Sequence, residues 1–257
     1  MFVNIQGINT HYVKEGTAGI PVVILPGWAA NSSAYNLIIK QLSAKYTVYA
    51  LDLPGFGKTP EPSAPWSLDE YAQFVMDFIT ACRLEEAILV GHSIGGRLII
   101  NLCNRALPFS VKKILLIDSA GIKNPLSPQQ RKRQVRFKRL KRFYKNKLVS
   151  ALFPQALDTL QKKYGSADYA AASPMMKQIL VKTVSTDYRE LLPNIQAEAL
   201  LIWGEKDTAT PLSDGITMHR LIPNSTLETV ADAGHFPFID QPFLFINILR
   251  KHFGLDA

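Results

Sequence analysis

The sequence predicts an α/β fold: a mostly parallel, twisted sheet with helices on both faces, interrupted by a helical insertion. Three observations predict it. Short apolar runs alternate with helical segments through the first half of the chain. A Gly-x-Ser-x-Gly stands where one such run meets a helix. Strand-like runs then vanish between residues 122 and 192 and resume at 199. The length, 257 residues, suits one large domain of this kind or two small ones. At 47% hydrophobic and 19% charged residues, disordered, collagen-like and coiled-coil chains are excluded.

Taken in order, Phe2 to Ile5 and Thr10 to Lys14 read as a short hairpin around Gly7. Pro21 to Leu25 (PVVIL) and Thr47 to Leu51 read as buried strands. Between them Ser33 to Leu42 is a helix capped by Asn31 or Ser32. Ser67 and Glu70 form a capping box that opens a helix running to about Cys82. Then come a strand at Ala87 to Val90, a helix at Ile94 to Arg105 and a strand at Lys113 to Ile117. From 122 to 192 the chain reads as helical and basic, with prolines at 125, 128, 154 and 174. A strand at Ala199 to Trp203, a helix at Leu212 to Leu221, a strand at Thr226 to Val230 and a helix at Pro242 to Phe253 complete the pattern. The expected organisation is a core of 1–121 and 193–257 with a helical cap of 122–192. Such insertions sit over the carboxyl ends of strands, where open α/β sheets bind ligands.

The net charge of +8 is local. Residues 131–147 hold ten Lys or Arg and no acid, which leaves 19 basic against 21 acidic residues elsewhere. Within this segment Phe137, Leu140, Tyr144 and Leu148 recur at helical spacing, with basic residues on the other face. The spacing predicts an amphipathic basic helix. Its bland reading is a solvated face, its sharper one a surface for an acidic partner or substrate, and a third a contact for nucleic acid or an anionic membrane surface. No nucleic-acid-binding motif accompanies it, so nucleic acid is not expected. Apolar stretches such as Phe243 to Leu249 fall far short of the ~18 residues a membrane span needs. The first residues lack a secretory-signal pattern, and the two cysteines, Cys82 and Cys103, fall within expected helices. A cytoplasmic protein with reduced thiols is therefore expected.

Gly91-His92-Ser93-Ile94-Gly95 follows a strand and precedes a helix, the context of a nucleophile elbow. The tight turn strains the serine backbone, and glycines two residues either side avoid clashes. A serine hydroxyl needs a base to take its proton. Of five histidines, His235 lies in a loop just past the last strand, at the same sheet edge as Ser93. His92 adjoins Ser93 and must point elsewhere, His11 lies in the hairpin, and His219 and His252 lie in helices. The acid that orients the base is expected at Asp207, four residues past a strand, with Asp118 the runner-up. Asp232 is too near His235 in sequence, and Glu205 too near its strand. Oxyanion donors are expected from the backbone N–H groups of Ile94 and Trp28, with Gly27 allowing close approach. Trp28, Tyr169, Met175, Met176 and Phe236 are the expected pocket residues.

Two near-motifs lead elsewhere. Asp52 to Thr59 (DLPGFGKT) almost spells a phosphate loop, but Asp52 stands where Gly is needed and Pro60 and Pro62 prevent a following helix. Asp52 reads instead as a structural carboxylate that ties down its loop. No metal motif of the His-Glu-x-x-His or paired-cysteine type occurs, and no cofactor or metal is expected.

With these residues in place the chain resembles the α/β-hydrolase superfamily over essentially its whole length. The matching pieces are LPGW at 25–28, DLPGFGKT at 52–59, GHSIGG at 91–96, DSAG at 118–121, WGEKD at 203–207 and AGHFPFIDQP at 233–242. Within the superfamily it is most similar to small bacterial carboxylesterases such as the pimeloyl-acyl-carrier-protein methyl ester esterases. It departs from the family's pattern at Pro26-Gly27, where His-Gly is usual, and at His92, where those esterases carry an aromatic residue. The resemblance implies a Ser-His-Asp carboxylesterase acting on a small-molecule ester through an acyl-enzyme. It also implies that residues 131–147 could dock an acidic carrier protein. Peptidase, amide or carbon–carbon bond hydrolysis on the same fold are alternatives, as is a hydrolase-like binding module with slow or no turnover.

Overall fold

The computed structural model describes residues 1–125, 127–146, 149, 152–156, 159–160, 167–184 and 186–255. Eight strands form one sheet: β1 (Phe2–Ile5), β2 (Ile8–Glu15), β3 (Pro21–Leu25), β4 (Thr47–Leu51), β5 (Glu86–His92), β6 (Ser110–Ile117), β7 (Glu198–Gly204) and β8 (Ser225–Val230). Their order is β1-β2-β4-β3-β5-β6-β7-β8. β2 pairs antiparallel with both β1 and β4, and every other pair is parallel. β3, β4, β5 and β7 are nearly continuous apolar runs, as burial on both faces demands.

The helices among the described residues are α1 (Asn36–Leu42), α2 (Leu68–Ala81), α3 (Ile94–Leu102), α4 (Pro128–Tyr144), α5 (Ala167–Ala171), α6 (Pro174–Thr183), α7 (Leu212–Leu221), α8 (Pro237–Asp240) and α9 (Pro242–Phe253). One buried cluster joins α2, α3, α6 and α7 to one face, with Phe74, Phe78 and Trp203 among its largest side chains. The other joins α1, α8 and α9 to the opposite face around Tyr35, Phe238 and Phe245. No described helix is long and apolar enough to cross a membrane.

Chain order reverses at β3, which lies between β4 and β5, and this is the switch point where open α/β sheets form a crevice. Register aligns the strand ends there. Leu25 pairs with Gly91, His92 with Ile117, and Ile117 with Ile202. The loops after β3, β5, β6 and β7 therefore meet above one edge.

Local rules account for most boundaries. The Ser67–Glu70 capping box is formed in both directions at the start of α2. Asn31 caps a 3₁₀ turn, Ser32–Tyr35, and α1 begins only at Asn36, three residues later than the capping pattern suggests. α3 stops at Leu102 rather than Arg105. Asn104 turns its Nδ2 back onto the Ile100 carbonyl (2.9 Å), and the next backbone bonds span three residues. Cys82 and Cys103 thus stand at helix C-termini rather than inside them, as free, half-buried thiols. α8 was not expected, because four residues carry too little periodicity to read.

Between β6 and β7 the described residues form helices and a 3₁₀ turn, Arg189–Asn194, and no strand. Arg97 of α3 reaches this segment, donating from a buried guanidinium to the Thr183 carbonyl (2.9 Å) with its charge over the Tyr188 ring. In α4, Phe137, Leu140 and Tyr144 form the half-buried stripe the spacing predicts, while Leu148 and Lys147 lie outside the described residues. Val135 and Phe143 stand exposed among the basic residues of the outer face.

Candidate active site

The turn between β5 and α3 holds Ser93 at φ +52 and ψ −115. A non-glycine residue there carries strain of about 1–3 kcal/mol that its surroundings must hold. Those surroundings are specific. Ser93 N donates to the Ile117 carbonyl (3.1 Å), and its own carbonyl accepts from Ala120 N (2.9 Å). A Cβ on Gly91 would stand 2.6 Å from the Gly95 carbonyl, and one on Gly95 would stand 2.0 Å from the Leu25 carbonyl oxygen. The glycines flanking the serine are thus sterically required. Ile94 is the first residue of α3, where a backbone N–H has no intrahelical acceptor and the helix end favours negative charge.

The loop after β3 lies against this turn. A Cβ on Gly27 would meet His92 Nδ1 at 2.7 Å and the Ser93 Cβ at 3.4 Å. That proximity puts the Gly27–Trp28 backbone beside the serine. Trp28 packs edge-on to Phe56, with ring centroids 4.9 Å apart.

His235 and Asp207 meet at the same edge. Their Nδ1 and Oδ2 are 2.8 Å apart. The Asp207 carboxylate also accepts from the N–H groups of Ala209 (2.7 Å) and Thr210 (3.1 Å) and from the Thr210 hydroxyl (2.6 Å). Burial would push this carboxyl up, but the hydrogen bonds from His235 and Thr210 outweigh it and hold it at about 2. Asp207 is therefore ionised and His235 Nδ1 carries the proton it accepts.

His92 does point away, and it has a task that its neighbour's prominence hides. Its Nε2 donates to the His235 carbonyl (2.7 Å), which fixes the tautomer, so Nδ1 accepts from the Tyr35 hydroxyl (3.0 Å). The Tyr35 oxygen accepts in turn from Gly27 N (2.8 Å). This chain of neutral groups ties the loop after β3 to the loop that bears His235. Burial, reinforced by His235, pushes the His92 imidazole down to about 3, so it stays uncharged.

Asp118 joins the cluster from the end of β6. It is fully buried at φ +41, and its Oδ1 accepts from Gly204 N (3.0 Å). Asp118, Asp207 and His235 offer three donor atoms within 4.8 Å of one another. Such a trio could clamp a metal, but Asp207 Oδ2 is already shared by Thr210 and His235, so the contacts support a hydrogen-bonded relay. Sequence reasoning treated Asp118 and Asp207 as rivals, whereas the fold brings both to one place. Tyr35, His92 and Thr210 were missed, and only the unusual histidine inside the elbow could have signalled them.

The expected pocket residues divide. Phe236 lies at the site, its ring 5.3 Å from His235 and 4.8 Å from His92. Met176 and Trp28 border a cavity of about 410 Å³ together with Gly55, Phe56, Asp168 and Ser173. Met175 and Tyr169 do not border it. Successive helical residues point ~100° apart, so α6 turns Met176 inward and Met175 aside. In α5 it is Asp168 that faces the cavity, while Tyr169 lines a different one of about 470 Å³ with Lys141 and Lys177. Asp52 is the loop anchor it was expected to be, accepting from Ser32 N (2.7 Å) and Lys58 N (2.9 Å) and meeting His11 Nδ1 at 2.8 Å.

Residues 20–242 match the family described as alpha/beta hydrolase fold. The pimeloyl-[acyl-carrier protein] methyl ester esterase of Chromobacterium violaceum is 26% identical over 260 residues, spanning 96% of this chain and 99% of that protein. The 2-hydroxy-6-oxo-2,4-heptadienoate hydrolase of Pseudomonas putida is 25% identical over 268 residues, spanning 97% and 94%. Among solved structures, a meta-cleavage product hydrolase from Pseudomonas fluorescens superposes with a TM-score of 0.73 at 22% identity, covering 100% of this chain and 98% of that one. At that identity the likeness speaks for the fold alone.

Proposed function

The chain belongs to the α/β-hydrolase family, and on that premise we propose that it is a serine hydrolase that cleaves a carboxylic ester. The observation that carries the reading is the strained Ser93 turn lying at the same sheet edge as the ionised Asp207–His235 couple. His235 takes the Ser93 hydroxyl proton through Nε2 as the oxygen attacks the ester carbonyl. Asp207 holds the imidazole by Nδ1 and stabilises the imidazolium that forms. The N–H groups of Trp28 and Ile94 receive the oxyanion, and the alcohol leaves with the proton from His235. Water then repeats the sequence on the acyl-enzyme.

Residues 122–192 form the cap in this reading, and the cavity bordered by Trp28 and Met176 receives part of the substrate. The basic outer face of α4 docks an acidic carrier protein that presents the ester, and its charge supports that partner. A short-chain p-nitrophenyl ester assay tests the chemistry. Turnover that is lost in Ser93→Ala, together with labelling of Ser93 by a serine-reactive phosphonate, is expected. Retention of most activity in Ser93→Ala would sink the mechanism. Carbon–carbon bond hydrolysis is the second reading, favoured by the likeness to the heptadienoate hydrolase. A vinylogous diketone substrate turned over faster than any ester would establish it.

A further inference from the structure

We propose that Asp118 is a positioning residue that carries a proton at neutral pH and donates it from Oδ2 to the Asp207 carboxylate. The acid of the His235 couple is then held from behind by a neutral carboxyl group. The inference rests on the reading of Asp207 as the residue that orients His235.

Two carboxyls and an imidazole share a site in which all three donor atoms lie within 4.8 Å. Two buried carboxylates this close cannot both be charged, so one keeps a proton. The contacts decide which one. Asp207 collects two backbone N–H groups, the Thr210 hydroxyl and His235. Asp118 collects one donor, Gly204 N, and no group among the described residues donates to its buried Oδ2. The charge therefore belongs on Asp207 and the proton on Asp118 Oδ2.

The neighbours on every side agree. Asp207 faces Asp118 from the loop after β7, and His235 and Asp240 face it from the segment after β8. His92 is nearby on β5 but uncharged. Asp240 accepts from Gly234 N and adds negative charge. The His235 Nδ1 spends its contact on Asp207. Burial, with the hydrogen bond and charge of Asp207 and the charge of Asp240, pushes the Asp118 carboxyl up to about 9 against the pull of Gly204 N–H. Above that pH Asp118 loses its proton. Asp207 then loses a donor and gains a repelling charge, and the orientation of His235 suffers.

The test reads the proton first. Infrared difference spectra of the resting wild-type protein against Asp118→Asn should show a protonated-carboxyl C=O stretch at neutral pH that bleaches as the pH rises through about 9. The absence of that band at neutral pH overturns the proposal, whatever the enzyme turns over. With a p-nitrophenyl ester, kcat of the wild type should decline reversibly on the alkaline side. Asp118→Asn, which keeps both the Gly204 acceptor and a donor to Asp207, should stay within about threefold of wild type at neutral pH and lose the decline. Asp118→Ala should lose about tenfold or more across the range. An unchanged alkaline decline in Asp118→Asn also overturns the proposal. If no ester is turned over, the ester reading fails and the infrared band still decides the proton.

Discussion

Helices α3 and α4 are held in place by opposite means. All nine residues of α3 are buried, and two of them are glycines, the poorest ordinary helix formers. Its helicity is imposed by β3, β5 and the loop after β6, which leave room for no side chain at Gly95 or Gly96. α4 has seventeen residues, none of those described is buried, and it is built mostly from Gln, Arg and Lys, which favour helix on their own. Packing dictates the first helix and local propensity the second. The difference shows which part of the molecule has no freedom to vary and which part can change its surface without changing the fold.

The largest expected effect tests the packed region at its reactive point. Ser93→Ala should lower kcat for an activated ester by about 10⁴–10⁶-fold with little change in thermal midpoint. Next, Asp207→Asn should cost about 10⁴-fold in kcat by releasing the tautomer of His235, measured in the same assay. Gly95→Ala should destabilise by about 3 kcal/mol or prevent folding, since its Cβ would lie 2.0 Å from the Leu25 carbonyl oxygen; urea unfolding measures it.

A smaller effect follows from the buried acid. Between the ordinary carboxylate value of about 3.9 and the folded value of about 9, the folded chain binds one more proton at Asp118 than the unfolded chain. Its contribution therefore lowers stability as pH rises across that window, by at most about 1.4 kcal/mol per unit. Asp207, held at about 2, acts in the opposite sense and only below the ordinary carboxylate range, where stability is lost as pH falls. Asp118→Asn should flatten the slope between neutral and alkaline pH in urea titrations. An unaltered slope would break the link between this residue and the buried charge.

The smallest effect on the fold belongs to α4. Reversing Arg136, Arg139 and Arg142 to Glu together should leave small-ester turnover within about twofold and change stability by no more than about 1 kcal/mol, because exposed charges contribute little. Binding of an acidic carrier protein, measured by titration calorimetry, should nonetheless be lost. Unchanged binding would return that face to the status of a solvated surface.

Much of the packed region was legible beforehand because its rules are local. The strands β3 and β4 and the helices α7 and α9 run between the residues that their apolar runs and flanking turns indicate. The elbow was legible because glycine is the only residue that fits where a Cβ would stand within 2.0–2.6 Å of backbone. Asp207 and His235 could be chosen because each follows a strand of a parallel sheet, which puts them at one edge. The partners of these residues were not legible. Nothing near His92 or Tyr35 indicates that they bond to each other across 57 positions.

By itself the sequence determined the α/β layering, the strained serine turn and the placement of Asp207 and His235 at the sheet edge that bears Ser93. All three follow from periodicity, steric exclusion at glycine and the polarity of parallel strands, which are properties of neighbouring residues. Only the tertiary structure decided that Asp118 sits with Asp207 instead of competing with it, that His92 braces the His235 loop and that Met176 rather than Met175 meets the Trp28 cavity. Each of those outcomes depends on burial, distance and helical phase between segments far apart in the chain, and no pattern in the sequence encodes such distances directly.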